Sequence, residues 1–321
     1  MNTEFSKSIA QFSKKKILII GDVMLDEYRA GTADRISPEA PIPVLLQKSV
    51  RYVLGGAGNV AANVAALGAS ATLVGVLGND GHAKVVRNVC REKNIAPRFL
   101  IDTGRPTTTK IRFVSGHHQL VRIDIEDTHV LMGKEETQMV ALIRKLSKHD
   151  FVIVSDYAKG CLTKKVMHAL RAKFGAHRII ADMKPHNAPL FVGICAITPN
   201  VKEATELSGI TALTNAHALR AVKAIEKNLQ TSVILTRGEY GVTVFDRSTK
   251  EAARFRSDAH SVKDVTGAGD TLVAVMALMI ASGATLLEAT ELANLAAGAV
   301  VGVAGTHALS KKELDRYLKQ N

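Results

Sequence analysis

Short apolar runs that stop at a polar or charged residue recur along this chain, and stretches with helical spacing separate them. KILIIGD (16–22), ATLVGVLG (71–78), FVIVSD (151–156), RIIAD (178–182), CAITPN (195–200) and SVILTRG (232–238) each fit a strand buried on both faces. Residues 57–67, 82–93, 134–147, 163–172, 214–228, 268–282 and 286–303 read as helices between and after them. Strands alternating with helices lead to a mostly parallel sheet covered on both faces, a three-layer α/β/α sandwich. Functional groups in such sheets gather beyond the carboxyl ends of the strands. Asp22, Asp156, Asp182, Asn200 and Arg237 all occupy such ends, which is where the site is expected.

With 321 residues, 46% of them apolar, the chain is long enough for one large domain. Its longest apolar run, Leu272 to Ala281, is about half the ~20 residues of a membrane span. The opening residues lack the apolar stretch of a secretion signal. Three cysteines (Cys90, Cys161, Cys195) without CxxC spacing argue for a reducing compartment, so a cytoplasmic protein is expected, with no membrane partner. A net charge of +12 invites a nucleic-acid reading. The absence of Trp and the scatter of basic residues beyond Lys14-Lys15-Lys16 oppose it. A small phosphorylated ligand would use the same surplus, and no nucleic-acid partner is expected.

Two stretches break the rhythm. Residues 28–54 carry Pro38, Pro41 and Pro43, which predicts an irregular edge element. Residues 107–125 read as two strands around a Ser115-Gly116-His117-His118 turn. Period-2 alternation puts Lys110 with Arg112 on one face, and Arg122 with Asp124 on one face of the second strand. That pattern fits a solvated charged side or a β-lid offering cations to an anionic substrate. The expectation is a single domain over 1–321, with lid segments at about 26–54 and 105–125.

Two glycine-rich motifs carry the chemistry. Asp264-Val-Thr-Gly-Ala-Gly-Asp270 leads into an apolar helix. Its glycines let backbone approach a ligand, and the helix start aims N–H groups and partial positive charge at it. That suits a transferring phosphoryl group, with Asp270 beside it to accept a proton from an attacking hydroxyl. The second motif, Gly55-Gly-Ala-Gly-Asn-Val-Ala-Ala-Asn63, also satisfies GxGxxA, so a dinucleotide-dependent oxidoreductase stays open. Against it, the motif does not follow the first core strand. A GxxxxGK[ST] phosphate loop is absent.

Together these motifs resemble the two signatures of the ribokinase (PfkB) sugar-kinase superfamily. PNVKE (199–203) and TRGEYG (236–241) stand in the right order between them, and the resemblance runs from about residue 15 to 318. GDVMLDEY (21–28), RISPEAPIPV (35–44), TTTKIR (107–112) and QLVRID (119–124) are similar to kinases that phosphorylate heptose 7-phosphate at C1. In bacteria that reaction feeds ADP-heptose synthesis for the lipopolysaccharide core. The likeness is to the stand-alone kinase or to the kinase half of bifunctional relatives that add a cytidylyltransferase-like domain. A PfkB-type kinase of another sugar or sugar phosphate, such as fructose 1- or 6-phosphate, is the alternative.

The resemblance implies a ribokinase-like fold, ATP and Mg²⁺ as cofactors, and roles by residue. Asp270 is the implied base, with the Gly267, Ala268, Gly269 and Asp270 backbone as anion hole. Asn200, Val201, Lys202 and Glu203 form the NxxE pattern that organises Mg²⁺-ATP, Glu203 acting through water rather than as a direct metal ligand. Thr236 and Gly238 border the nucleotide, Asn294 lies near the adenine, and Lys184 falls in a DMK triplet lacking the proline of the family's DPK. Asp22, Asp26, Gly56 and Asn59 hold the sugar, Lys110, Arg112 and Arg122 face its distal phosphate, and Asp124 is counted with the substrate-binding residues. The adjacent His117 and His118 lack metal-ligand spacing. Relatives include potassium-activated enzymes, which leaves K⁺ open. An open lid predicts a homodimer through it.

Overall fold

The computed structural model describes residues 3–116, 118–257, 265–302 and 307–320. His117, Asp264 and the expected helix end at Val303 lie outside these residues. The strands are β1 (Lys16–Gly21), β2 (Val23–Ile36), β3 (Pro43–Gly56), β4 (Ser70–Leu77), β5 (Ala96–Ile101), β6 (Thr109–Ser115), β7 (His118–Ile125), β8 (Phe151–Ser155), β9 (Ile179–Asp182), β10 (Ala196–Ile197), β11 (Ser232–Thr236), β12 (Val242–Phe245) and β13 (Ala252–Phe255). The helices are α1 (Thr3–Gln11), α2 (Ala57–Ala66), α3 (Gly81–Glu92), α4 (Gly133–Lys145), α5 (Lys164–Phe174), α6 (Val201–Ser208), α7 (Asn215–Leu229), α8 (Ala268–Ala281), α9 (Leu286–Val300) and α10 (Lys311–Gln320).

The main sheet has the order β13-β12-β11-β10-β9-β8-β1-β4-β5, parallel from β11 to β5 and closed by an antiparallel hairpin at the other end. Alternation along β1 divides the core in two. Ile17 and Ile19 enter the cluster beneath α1, α2, α3, α8, α9 and α10, while Leu18 and Ile20 enter the one beneath α4, α5, α6 and α7. The three-layer α/β/α sandwich expected from the sequence is therefore what forms. Helix α8 is buried along nearly its whole length, which explains why its sequence is apolar all round. Among the described residues no helix is long and apolar enough to cross a membrane.

The lid is a second sheet, ordered β3-β2-β6-β7. The irregular edge element expected over 28–54 forms in part: β3 is an edge strand and the β2–β3 pairing shifts register between Ala30 and Gly31 and between Thr32 and Arg35, but the stretch makes two full strands. β2 and β3 are 14 residues each, Pro38 and Pro41 fall in the turn between them, and Pro43 opens β3, an edge strand where a missing N–H is harmless. Register aligns Arg51, Tyr28, Arg112 and Arg122 across one face, beside a row of Val53, Asp26, Lys110 and Asp124. The opposite face carries Val50, Tyr52, Val121 and Ile123, between 38% and 50% exposed.

Candidate active site

The parallel order brings the five expected strand ends to one edge, on adjacent strands: Arg237 after β11, Asn200 after β10, Asp182 at the end of β9, Asp156 after β8 and Asp22 after β1. Above them the two glycine-rich motifs meet. Gly56 caps α2 with φ 54°, and a Cβ there would lie 2.4 Å from the Asp22 carbonyl oxygen, so only glycine serves. Gly267 caps α8 with φ 86°, turning the chain so that Asp270 sits in the first helical turn. The N–H groups of that turn have no intrahelical acceptors. The Ala268 N–H donates to the Val265 carbonyl at 3.3 Å, leaving those of Gly269 and Asp270 as the better part of the expected anion hole.

Asp270 is buried and held from two sides. Asn59 Nδ2 donates to its Oδ2 at 2.6 Å, and Tyr157 Oη donates to its Oδ1 at 3.3 Å. Burial pushes its carboxyl up to about 6, the two hydrogen bonds pull it down, and Asp26 adds repulsion. Tyr157, whose own hydroxyl is pushed well up by Asp270 and by burial, was not found from the sequence. Its only sequence signal was its position directly after the Asp156 strand end. Asn63, one turn beyond Asn59, closes the second glycine-rich motif, and its role is not evident from the sequence. It donates to the Asn59 carbonyl at 3.0 Å and accepts from Thr271 Oγ1 at 3.0 Å and the Leu309 N–H at 3.1 Å, which bolts α2 to α8.

Asp22, expected among the sugar ligands, has a different duty. Its Oδ2 accepts from the N–H groups of Tyr157 (2.7 Å) and Lys159 (3.0 Å), and its Oδ1 from that of Cys161 (3.2 Å). Burial raises its carboxyl pKa and those three donors oppose the rise. Asp22 therefore shapes the loop that presents Tyr157. Asp26 faces the lid cations instead, accepting from Arg112 Nη1 at 2.5 Å. Arg112 also lies 5.2 Å from the Tyr28 ring, with Arg51 at 4.6 Å from the same ring. Asp124 accepts from Lys110 at 3.0 Å and binds Arg122 through Nε at 2.9 Å, so Arg122, 48% exposed, is the most open of the three expected cations.

A second wall of the site encloses about 980 Å³ lined by Tyr157, Asp182, Lys184, Asn200, Glu203, Thr236, Arg237, Gly238 and Asn294, among others. Asn200 and Glu203 form a reciprocal capping box at the start of α6, with 3.0 Å bonds in each direction. Glu203 also accepts from Lys184 Nζ at 2.6 Å. The NxxE pattern thus has a structural job whatever it binds. Between its ends, Val201 packs on the core beneath α6 and Lys202 points to solvent, so neither belongs to the cavity wall as expected. Asp182 is pushed up to about 8 by burial, then by repulsion from Asp270 and Glu203. Asn294 is held by the Arg256 carbonyl at 2.6 Å. Among the described residues no three His, Cys, Asp or Glu side chains cluster to hold a metal ion.

The profile described as pfkB family carbohydrate kinase matches residues 14–313. The chain is 41% identical over 309 residues to "Bifunctional protein HldE" of Caulobacter vibrioides, covering 94% of this chain and 63% of that protein. It spans a little under two thirds of the length of the curated relatives it matches, at 63%, 65% and 66%. Among solved structures, the tetrameric inhibited form of phosphofructokinase-2 from Escherichia coli superposes with a TM-score of 0.78 at 18% identity, over 95% of this chain and 99% of that one. Arabidopsis thaliana ribokinase complexed with ribose and ATP gives 0.73 at 21%, over the same 95% and 99%. At these identities the structures speak for the fold alone.

Proposed function

The chain belongs to the pfkB family of carbohydrate kinases, and from that premise we propose that it transfers the γ-phosphoryl group of ATP to the C1 hydroxyl of D-glycero-β-D-manno-heptose 7-phosphate. The product is the 1,7-bisphosphate, a step toward ADP-heptose for lipopolysaccharide. The observation that carries the reading is the junction of the two glycine motifs at Asp270, between a cation-bearing lid face and a cavity of about 980 Å³.

Asp270 takes the proton from the C1 hydroxyl as that oxygen attacks the γ-phosphorus, and the bond to the β-phosphate oxygen breaks to release ADP. An anomeric hydroxyl is more acidic than an ordinary alcohol, so a carboxylate near pH 6 suffices as its base. The first-turn N–H groups of α8 lie where charge builds on the transferring group. Asp26, Gly56 and Asn59 are the sugar-side residues in this reading. Lys110, Arg112 and Arg122 form the distal-phosphate side, Arg supplying a fork that fits phosphate oxygens, and Asp124 holds Lys110 and Arg122 beside it. Lys184, Asn200, Glu203, Thr236, Gly238 and Asn294 surround the nucleotide. The donor set fits a nucleotide with its divalent cation: Lys184 for phosphate oxygens, Glu203 and Asp182 for a water shell. Magnesium, when bound, neutralises charge on the phosphate chain.

The exposed apolar side chains on one face of the lid support a homodimer through it, since Val50 and Tyr52 on β3 and Val121 and Ile123 on β7 are costly to leave in water. The test of the function is ADP release with Mg²⁺-ATP across heptose 7-phosphate, unphosphorylated heptose, fructose 1-phosphate, fructose 6-phosphate and ribose, with and without K⁺. Turnover confined to heptose 7-phosphate is expected. Preference for another sugar overturns the substrate, and silence on all of them overturns the reaction.

A further inference from the structure

Arg237 is a cation in an unusual setting. It follows β11 directly, is 5% exposed and lines the nucleotide-side cavity. Its Nη1 donates to Asn215 Oδ1 at 2.8 Å, and its guanidinium lies 5.5 Å from the Tyr240 ring. Its Nε is buried without a hydrogen-bond acceptor among the described residues, and no carboxylate among them forms an ion pair with it. Arg254 adds a like charge nearby, and Glu239, two residues on in the same cavity lining, forms no ion pair with it among the described residues. Asn215 is the first residue of α7, so the guanidinium sits at the positive end of a 15-residue helix whose first turn contains no acid. Burial and Arg254 both act against its charge.

A buried guanidinium with an idle donor, a second arginine and a helix N-terminus beside it is unfavourable unless something negative joins them. Since Arg stays charged in proteins, the site cannot relieve itself by losing a proton. We propose that Arg237 is a phosphate-binding residue of the cavity, taking a phosphate group through its guanidinium, with the nucleotide's own phosphate chain as the source. The inference rests on a nucleotide occupying this cavity. It adds a contact outside the glycine turn of α8 and the Lys184–Glu203 pair, from the end of β11.

The test is binding rather than turnover, measured by calorimetry on the full chain, for wild type, Arg237→Gln and Arg237→Lys. ATP, adenosine and inorganic phosphate are titrated separately, and melting is followed without ligand. A hydrogen-bonded charge predicts an ATP affinity about 10- to 100-fold weaker in Arg237→Gln, with Arg237→Lys in between. Adenosine affinity should stay within about twofold, and the unliganded melting temperature should not fall, because the variant removes an unpaired buried charge. If inorganic phosphate raises the melting temperature of wild type but not of Arg237→Gln, the site accepts free phosphate as well. If it moves neither, the nucleotide chain is the sole source.

Equal losses for ATP and adenosine, an unchanged ATP affinity, or a variant that melts several degrees lower would each overturn the proposal. A wild-type protein that binds neither ATP nor adenosine would take the nucleotide reading down with it. Normal wild-type binding with an indifferent variant would remove Arg237 alone.

Discussion

Replacing Tyr157 with Phe deletes one hydroxyl and leaves the ring against Lys184, 5.5 Å away. Its consequence can be worked from the two bonds on Asp270. That carboxyl stands at about 6 because burial outweighs the donations from Asn59 and Tyr157. A hydrogen bond to a charged group contributes ~1.5–3 kcal/mol, and one pH unit corresponds to ~1.4 kcal/mol. The Tyr157 bond, at 3.3 Å, belongs at or below the weak end of that range, and the 2.6 Å Asn59 bond belongs well inside it. Each bond favours the ionised form, so its loss raises the pKa of the base, and kcat/KM then begins to fall at a higher pH. Tyr157→Phe should move the acid limb upward by about half to one unit, and Asn59→Ala by about one to two. The assay is the pH profile of kcat/KM by ADP release from pH 5 to 9, on whichever sugar wild type phosphorylates. A sugar phosphate has its own ionisation near pH ~6, but it is common to every variant, so the displacement from wild type isolates the enzyme group. An unmoved limb in Tyr157→Phe, or a smaller shift in Asn59→Ala than in Tyr157→Phe, would refute the assignment of Asp270 as the titrating base.

Asp270→Asn should lower kcat at least ~100-fold while ATP binding persists, and a tenth of wild-type kcat remaining would remove Asp270 from the base role. The same variant should be more stable at pH 8. The folded-state value, about 6, lies above the ordinary 3.8, so wild type loses stability as pH rises through that interval and keeps the deficit beyond it. Roughly two units amount to about 3 kcal/mol, so melting curves of the two proteins should differ at pH 8 and converge near pH 4; a constant gap would contradict the argument. Arg122→Ala should weaken the phosphorylated sugar about tenfold and leave ATP unchanged, measured as separate KM values, with equal weakening placing it outside the distal-phosphate site. Ile123→Glu puts a charge on the apolar lid face and should give a monomer by light scattering, where a persisting dimer would put the interface elsewhere.

The sandwich was legible because each central strand is apolar on both faces, so β1, β4, β8 and β11 appear as unbroken runs ended by one polar residue. The short β10, only Ala196–Ile197, and the edge strand β5, which alternates in burial, give weaker signals. The prolines of 28–54 signal an edge element but hide the length of the β2–β3 hairpin, because Pro38 and Pro41 mark its turn and Pro43 the start of an edge strand. Helix α1 escaped notice because its anchors Phe5 and Ile9, followed by Phe12, are spread among polar residues. At the site, Asp270 and Asn59 were readable from glycine-rich motifs that must approach a ligand. Tyr157 was not, since its role depends on a loop folded by Asp22, a residue 135 positions away.

Strand ends indicate where the acids lie, but the following loop decides what each can do. After β8 the chain turns back over Asp22 and donates three N–H groups to it, so that carboxylate is committed to the fold. Asp156 is similarly engaged, accepting from the Ala158 and Lys184 N–H groups at 2.9 and 3.3 Å and from Asn187 at 2.9 Å. Among the described residues Asp270 receives only side-chain donors, and Asp182 borders the cavity. The first pair shape the loops, and the second pair are left with unspent affinity for protons and cations. A buried carboxylate whose partners are backbone amides is hard to redeploy, because releasing it unfolds the loop that supplies them. One whose partners are side chains can exchange them for a hydroxyl on a bound sugar at the cost of a rotamer change. In the proposed reaction, that difference in partners, rather than position on the sheet edge, is why Asp270 is the acid assigned to take a proton from the substrate.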